Sequence, residues 1–214
     1  MRTPRIFISM GTPYTDGYLK FRDALEEFLR VQCRCDPRII GKNEYPTGSP
    51  VGKIADVMKS CDGVIIVAYE RKFVQAGVER RGGAQAAALA EEITTTPWNH
   101  VESAMAYSFG LPIYIIAQTG LREEGLIESK SDWYVQKIDF TADNLRRPEV
   151  MGSIQAWIDE RVMTRHAQRR GPLQGFARLS FAEFTMEDWG LLGALVAFAF
   201  GAGAAAAHWL HIAG

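Results

Sequence analysis

The sequence predicts an α/β domain built on a mostly parallel, five-stranded sheet, followed by a transmembrane α-helix near the end of the chain. The domain is indicated by short apolar runs that alternate with longer amphipathic stretches between residues 5 and 160, the pattern of strands separated by helices. The membrane helix is indicated by residues 190–207, which include no charged or strongly polar side chain. We therefore expect an α/β domain over residues 1–165, a linker that is first basic and then acidic over 166–188, and a membrane helix over 189–212.

Five short apolar runs account for the predicted strands, at residues 5–9, 38–40, 63–68, 112–117 and 133–139. The runs at 63–68 and 112–117 are unbroken, as expected for central parallel strands covered by helices on both faces. The stretches between the runs predict helices at 16–31, 51–60 and 150–165. A further helix begins at Pro97 and ends at Gly110, residue types that favour these two positions.

Residues 71–96 fit this alternation poorly. They contain an Arg-Arg-Gly-Gly run, an Ala- and Glu-rich piece and three consecutive threonines. A connection of this length without regular structure is uncommon in a compact domain and is usually functional or mobile. We therefore predict a long loop here.

Composition narrows the functional classes. The 214 residues carry 24 Lys and Arg against 25 Asp and Glu, and 47% of them are hydrophobic, which argues against a disordered chain and against a basic nucleic-acid-binding protein. Cys33, Cys35 and Cys61 are odd in number and irregular in spacing, so they do not form a disulfide framework, and no second Cys/His pair follows at zinc spacing. We expect reduced cysteines, no bound metal and no binding to nucleic acid duplexes.

Residues 189–212 predict a single membrane span at the C-terminus. A helix of roughly 23 residues is about 34 Å long, enough for a hydrocarbon core of about 30 Å, and Trp189 and Trp209 lie near its ends, as aromatic belt residues do. Five arginines between positions 161 and 178 precede the span and no Lys or Arg follows it, which places the N-terminal domain in the cytoplasm. The alternatives are a buried core helix and an Ala-rich contact between subunits.

Small residues recur along this span. Ala197, Gly201 and Ala205 are spaced by four residues, as are Gly203 and Ala207. Small residues so placed let helices approach closely in lipid. We therefore expect membrane lipid and further copies of this chain, in a homo-oligomer, among the partners.

Candidate ligand-binding residues follow the first strand, at the sheet edge where ligands of parallel α/β proteins bind. This loop contains Ser9, Gly11 and Tyr14. Gly11 lets the backbone approach a ligand, and the helix that starts at Asp16 offers free N–H groups. The spacing matches neither a Walker loop nor Gly-x-Gly-x-x-Gly, and a plain turn with Asp16 as the N-cap is the alternative.

The third strand is flanked by further candidates. Tyr69 and Arg71 follow the strand and provide donors for an anionic ligand, with a solvated loop as the alternative. Asp62 precedes the strand, which is the wrong end for direct chemistry if Gly63 begins it, and its simpler interpretation is a turn residue.

The helix that begins at Pro97 is the most informative segment. Trp98, Glu102, Met105 and Phe109 are spaced to lie along one face. A carboxylate in an apolar stripe is unusual because burying it unpaired is costly. We expect Glu102 to have a raised pKa or a partner, and either fits a catalytic role; the alternative is an edge residue whose carboxylate lies in water.

This helix carries a resemblance to known families. The run Glu102-Ser-Ala-Met-Ala106, followed by Gly110-Leu-Pro112 and a strand, resembles the nucleoside 2-deoxyribosyltransferase superfamily, whose members typically show Glu-x-Gly-x-Ala and then Gly-Lys-Pro. The sequence is also similar to TIR domains, which often carry a Trp shortly before their catalytic Glu, as Trp98 precedes Glu102. Ala104 stands where the transferases have Gly, and we expect it to narrow the space beside Glu102.

The resemblance covers roughly residues 4–140 and implies a flavodoxin-like, doubly wound fold. It implies that Glu102 attacks the sugar anomeric carbon or stabilises cationic character there, and that the loop from Ser9 to Tyr14 borders base and ribose. It matches Asp62 to an acidic residue near the third strand of the transferases. Trp98 and Asn99 join the expected ligand-binding residues, with a surface role as the alternative for Asn99.

Three functions follow. The first is an enzyme that cleaves the N-glycosidic bond of NAD or a nucleoside, with no cofactor other than this nucleotide as substrate or ligand. The second is a non-catalytic nucleotide sensor whose oligomerisation acts through the membrane helix. Membrane-linked, TIR-like bacterial proteins are often antiviral defence components, so the resemblance gives both a context. The third is a purely structural, tail-anchored scaffold.

Overall fold

The computed structural model describes residues 2–45, 47–128 and 133–169. In chain order the strands are β1 (Arg5–Met10), β2 (Asp36–Arg38), β3 (Gly63–Ala68), β4 (Lys72–Val74), β5 (Gly77–Glu79), β6 (Ala87–Leu89), β7 (Glu92–Thr94), β8 (Ile113–Gln118) and β9 (Tyr134–Ile138). The α-helices are α1 (Asp16–Glu27), α2 (Pro50–Lys59), α3 (Pro97–Ser108), α4 (Ala142–Leu145), α5 (Pro148–Trp157) and α6 (Met163–Gln168). Short π-helical segments follow α1 (Phe28–Gln32) and α5 (Ile158–Val162), and a 3₁₀ turn spans Gly125–Ile127.

Five strands form one parallel sheet in the order β2-β1-β3-β8-β9. The chain leaves β1 towards β2 on one side and then returns to add β3, β8 and β9 on the other. The strand order therefore reverses between β1 and β3, and in sheets of this type ligands bind beyond the carboxyl ends of the strands at that reversal.

The prediction of five parallel strands with flanking helices is confirmed. Observed strand limits differ from the predicted ones by one or two residues, within the usual uncertainty of element ends, and β3 spans the predicted 63–68. β2 is displaced towards the N-terminus because Asp36 to Arg38 pair with β1, whereas Ile40 forms only an isolated bridge with Glu44.

Helices cover both faces of the sheet. Each strand contributes to the core on both sides, because its successive side chains point to opposite faces. Ile6 and Ile8 of β1 lie in a core with residues of α1 and α5. Phe7, on the opposite face, lies in a second core with residues of α2 and α3. Ser9 has the same parity as Phe7, so its side chain is directed towards the α3 face.

The helical limits show two corrections. Thr15, rather than Asp16, is the N-cap of α1: its hydroxyl accepts a hydrogen bond from the Tyr18 N–H at 3.2 Å, and Asp16 lies in the first turn. The predicted helix over 150–165 is longer, since α5, a π-helical segment and α6 follow one another from Pro148 to Gln168. His166, which was assigned to the linker, is buried within this run.

The prediction of a long loop at residues 71–96 is wrong. Two antiparallel ribbons occupy this stretch, one of β4 with β7 and the other of β5 with β6. Arg122 ties them together, because its guanidinium donates to Glu79 at 2.7 Å and to Glu92 at 2.9 Å. The strands have three residues each, none of which is buried, so they leave no apolar alternation in the sequence.

Among the residues that the structure describes, no helix combines the length and the apolar character needed to cross a bilayer. The predicted span at 189–212 and most of the predicted linker lie outside the described residues. The limits of the three predicted segments therefore stay a prediction.

Candidate active site

A cleft of about 310 Å³ lies beside the carboxyl ends of β1 and β3, where the strand order reverses. The loop after β1, the start of the loop after β3, α2 and the first two turns of α3 form its walls. The lining residues are Met10, Gly11, Thr12, Ile40, Pro50, Ile54, Tyr69, Arg71, Thr95, Thr96, Trp98, Asn99 and Glu102. Its volume falls in the range of small-molecule sites, about 300–1,000 Å³.

The sequence at both ends of α3 determines where this helix begins and ends. Thr96 is the N-cap, and its hydroxyl accepts from the Trp98 N–H at 3.3 Å, with Pro97 at the first helical position. At the other end Gly110 has φ of 61°, a left-handed conformation that glycine adopts without strain. The Gly110 N–H bonds the Tyr107 carbonyl and the Leu111 N–H bonds the Ala106 carbonyl, both at 2.9 Å, a C-terminal motif that ends the helix firmly.

The buried face of α3 differs from the predicted one. It consists of Asn99, Glu102, Ser103 and Ala106, whereas Trp98 is 45% exposed at the cleft wall. The predicted stripe was wrong at Trp98, because the sheet covers the side of the helix on which Asn99 and Ser103 lie. Glu102 therefore sits on a face of small and polar side chains.

Glu102 is 8% exposed, and its burial raises the pKa of the carboxyl to about 7, because desolvation disfavours the charged form. The nearby Ser9 hydroxyl acts in the opposite direction and lowers the pKa of Glu102. The expectation of a raised pKa at Glu102 is confirmed. Its carboxyl can change protonation state near neutral pH, as general acids, bases and nucleophiles of active sites do.

Ala104 does not narrow the space beside Glu102. It is exposed on the outer side of α3, whereas Glu102 is buried against the sheet. Residues two apart on a helix point in different directions, so the departure from the transferase pattern at this position leaves the cleft unchanged.

Most of the predicted site residues come together. Gly11, Tyr69, Arg71, Trp98 and Asn99 line the cleft with Glu102. The Tyr69 hydroxyl donates to the Gly11 carbonyl at 2.7 Å, and a Cβ at position 11 would lie 3.3 Å from this hydroxyl. Glycine at position 11 therefore lets the loop after β1 lie close to β3.

Ser9 and Tyr14 are near the cleft but do not line it. Ser9 is 1% exposed near the end of β1, and its hydroxyl acts from inside the fold to lower the pKa of Glu102. Tyr14 donates its hydroxyl proton to the Glu70 carbonyl at 2.6 Å and packs against the rings of Tyr18 and Tyr69. Both residues support the walls of the cleft.

Asp62 is not at the cleft. It lies at the opposite edge of the sheet, fully buried, where it accepts from the Arg5 N–H at 3.0 Å and lies 3.0 Å from Nδ1 of His166. Asp62 precedes β3 and the cleft follows it, so the length of this strand separates them. The match with a transferase site residue is therefore corrected to a buried structural carboxylate.

Among the lining residues that are not predicted from the sequence, three contribute to the shape and polarity of the cleft. Pro50 and Ile54 of α2 form an apolar wall, and Thr95 lies buried just before the N-cap of α3. Only the Thr94-Thr-Thr96 run indicated a possible hydroxyl at this position.

A larger groove of about 520 Å³ lies at the opposite edge of the sheet, near the amino ends of β8 and β9. It is lined by aromatic side chains, with Glu160 and Arg161 also in its wall.

The described residues contain no group of three or more His, Cys, Asp or Glu side chains arranged to hold a metal ion. Cys33, Cys35 and Cys61 form no disulfide with one another. Burial raises the pKa of each of them, to about 11 for Cys35 and to about 12 for the other two, so they are neutral at physiological pH.

Comparison with known proteins leaves the family open, because no family model and no curated protein matches the chain. Among the solved structures that match is the CMP N-glycosidase BcmB of Clostridium botulinum, at 13% sequence identity and a TM-score of 0.45. The match covers 72% of this chain and 98% of that one. A likeness of this size carries no conclusion about activity, and the function is argued from the cleft itself.

Proposed function

We propose that this protein binds a nucleotide or nucleoside in the cleft and cleaves its N-glycosidic bond, with Glu102 as the carboxylate that faces the anomeric carbon. One observation carries the proposal: a buried carboxylate with a pKa of about 7 lines a ligand-sized cleft where the strand order of a parallel sheet reverses.

The chemistry needs an ionised carboxylate at this point. Breaking the bond between the anomeric carbon and the base nitrogen sends the electron pair to the base and leaves oxocarbenium character on the sugar. Glu102 then bonds to the anomeric carbon or neutralises its charge. Water adds to this carbon, displaces the carboxylate where it is bonded, and gives its proton to the departed base or to solvent. A carboxylate shielded from water interacts more strongly with this cation than a solvated one does.

The walls of the cleft suit the rest of such a substrate. Trp98, which is 45% exposed, offers an aromatic ring on which a base can stack. Arg71 offers a guanidinium with the donor geometry for a phosphate group. We propose NAD or a nucleoside as the substrate, and no other cofactor.

The cellular setting is part of the same proposal. The predicted helix at 189–212 holds the domain at the cytoplasmic face of a membrane as a homo-oligomer, in contact with lipid through the helix. The resemblance to membrane-linked TIR-like proteins suggests a bacterial antiviral role, in which cleavage of a nucleotide is the effector step.

The test is release of the base. The full chain is incubated with NAD, with nucleosides and with nucleoside monophosphates, and free nicotinamide or base is separated by chromatography. We expect release, with a rate that rises as the pH passes through about 7 because Glu102 ionises there. We expect Glu102→Gln to abolish release, while the matched variant Glu91→Gln, at an exposed position outside the cleft, keeps it.

Two results would contradict this function. Equal release by Glu102→Gln would rule out Glu102 as the catalytic carboxylate. Tight nucleotide binding without any product, in the oligomeric full chain, would replace the enzyme by the non-catalytic sensor.

A further inference from the structure

Two residues that the sequence assigned to ligand binding have their polar atoms engaged inside the protein. Ser9 and Asn99 are each 1% exposed. The Asn99 amide nitrogen donates to the Ser9 hydroxyl oxygen at 3.1 Å and to the Ser9 carbonyl at 3.4 Å, and its amide oxygen lies 2.7 Å from the Thr95 hydroxyl. Ser9 and Asn99 therefore act on neighbouring protein groups rather than on a ligand directly.

The contacts determine which way the Asn99 amide points. A backbone carbonyl can only accept a hydrogen bond, so the Asn99 atom that faces the Ser9 carbonyl must be the nitrogen. The amide oxygen then faces Thr95, which has to donate its hydroxyl proton. The donors thus follow one another from Thr95 to Asn99 and from Asn99 to Ser9.

The direction of this series of hydrogen bonds determines whether the Ser9 hydroxyl donates or accepts. The Ser9 oxygen accepts from Asn99, so its own proton remains to be donated. Glu102 lies one turn from Asn99 on the same buried face of α3, and the Ser9 hydroxyl acts to lower the pKa of its carboxyl. We propose that Thr95, Asn99 and Ser9 act as positioning residues that direct the Ser9 hydroxyl proton to the Glu102 carboxyl, and so favour its ionised form and orient it.

Three separate parts of the chain supply the members. Ser9 lies in β1, Asn99 and Glu102 lie one turn apart on the buried face of α3, and Thr95 lies in the segment between β7 and α3. Ser103, in the same turn, donates to the Asn99 carbonyl at 2.6 Å and does not belong to the chain of side-chain donors.

The effect on charge follows from the direction of the last hydrogen bond. A donor to a carboxylate stabilises the ionised form, whereas burial opposes it. Among the described residues that line the cleft, the other side chains able to carry charge are Arg71 and Tyr69. The Tyr69 hydroxyl donates to Gly11, and burial raises its pKa to about 12, so this ring is neutral. From the packed helix α2 the lining includes only Pro50 and Ile54.

The experiment titrates Glu102 directly in the full chain. Glutamate labelled with ¹³C at the side-chain carboxyl is incorporated, and the Glu102 signal is assigned as the one lost in Glu102→Gln. In Ser9→Ala we expect the titration midpoint to move to higher pH by about one pH unit, the effect of losing one hydrogen bond to a charged group. In Ser9→Thr, which restores the hydroxyl, we expect the midpoint to return towards that of the unaltered chain.

Two further variants separate this role from simple packing. Asn99→Ala keeps the Ser9 hydroxyl but removes the group that orients it, and we expect a smaller upward shift. Ser103→Ala removes a buried hydroxyl of equal size from the same turn, and we expect no shift. The proposal is overturned if Ser9→Ala leaves the midpoint unchanged or if Ser103→Ala moves it equally; if Ser9→Ala does not fold, an unshifted Asn99→Ala overturns it.

The catalytic consequence rests on the proposed function, whereas the titration does not. Where the full chain releases base, the acidic limb of kcat/KM should move with the Glu102 midpoint in each variant. A chain that releases no base from any substrate contradicts the proposed function, and the titration still decides the role of Ser9 and Asn99.

Discussion

Replacing Glu102 with glutamine should stabilise the fold at alkaline pH and leave its stability nearly unchanged at acid pH. Below the ordinary glutamate pKa of 4.5, the folded and the unfolded chain both hold the Glu102 proton, so the carboxyl carries no penalty. As the pH rises to about 7, the unfolded chain loses this proton while the folded chain keeps it. The native protein therefore loses stability across this window, and glutamine, which does not ionise, avoids the loss.

The size of this effect follows from the two pKa values. The difference between 4.5 and about 7 corresponds to about 3 kcal/mol in the free energy of unfolding. Urea unfolding of the full chain, followed by circular dichroism at pH 4 and pH 8, measures it. The difference between Glu102→Gln and the unaltered chain should grow by about 3 kcal/mol from the lower pH to the higher.

The difference in the free energy of unfolding between a variant and the unaltered chain, taken at the same pH, removes the contribution of the other titrating groups. The Glu91→Gln variant, at an exposed position, provides the baseline and should show a nearly constant difference. If the difference for Glu102→Gln is equally independent of pH, Glu102 is not desolvated in the native state. Both the raised pKa and the catalytic role proposed from it then fail.

The remaining predictions concern the opposite edge of the sheet. Asp62→Ala should lower the free energy of unfolding by about 3 kcal/mol, because it leaves the buried His166 and the Arg5 N–H without their carboxylate; a loss below 1 kcal/mol in urea unfolding would contradict a structural role. Gly63→Ala should cost about 1–3 kcal/mol, since the new Cβ would lie 2.8 Å from Cγ2 of Val162, and an unchanged thermal midpoint would show that the last helical segment moves aside freely.

How far the sequence predicts the fold depends on how many faces of an element are buried. β3 was predicted to the residue because all six of its side chains are buried, and α3 was predicted at its start because Thr96 and Pro97 are local signals. The ribbons at 71–96 were missed because backbone pairing of short strands without buried residues leaves no apolar period.

The sequence predicts most of the residues at the candidate site, but it does not predict what several of them contact. Helical spacing with Met105 and Phe109 predicted a buried Glu102 from the sequence of α3 alone, although Trp98, the fourth member of that stripe, is 45% exposed. Assigning Ser9 to the interior needs the parity of β1 and its packing against α3, which are tertiary facts. Asn99 was therefore expected to contact ligand, although its amide is held between Thr95 and Ser9.

The two buried carboxylates that resemblance assigned to the site show what separates a structural acid from a reactive one. Asp62 lies before β3 and receives the Arg5 N–H, with Nδ1 of His166 at the same distance from the same oxygen, so its charge is already compensated by the protein. Glu102 lies beside a cleft, is nearly as buried, and has a single hydroxyl that opposes the cost of its charge. In the proposed reaction, the positive charge of the transition state would offset the cost of ionising Glu102, whereas Asp62 lies too far from the cleft to interact with it. The environment, rather than the residue type or the match to a motif, is therefore the reason why we propose Glu102, and not Asp62, as the catalytic carboxylate.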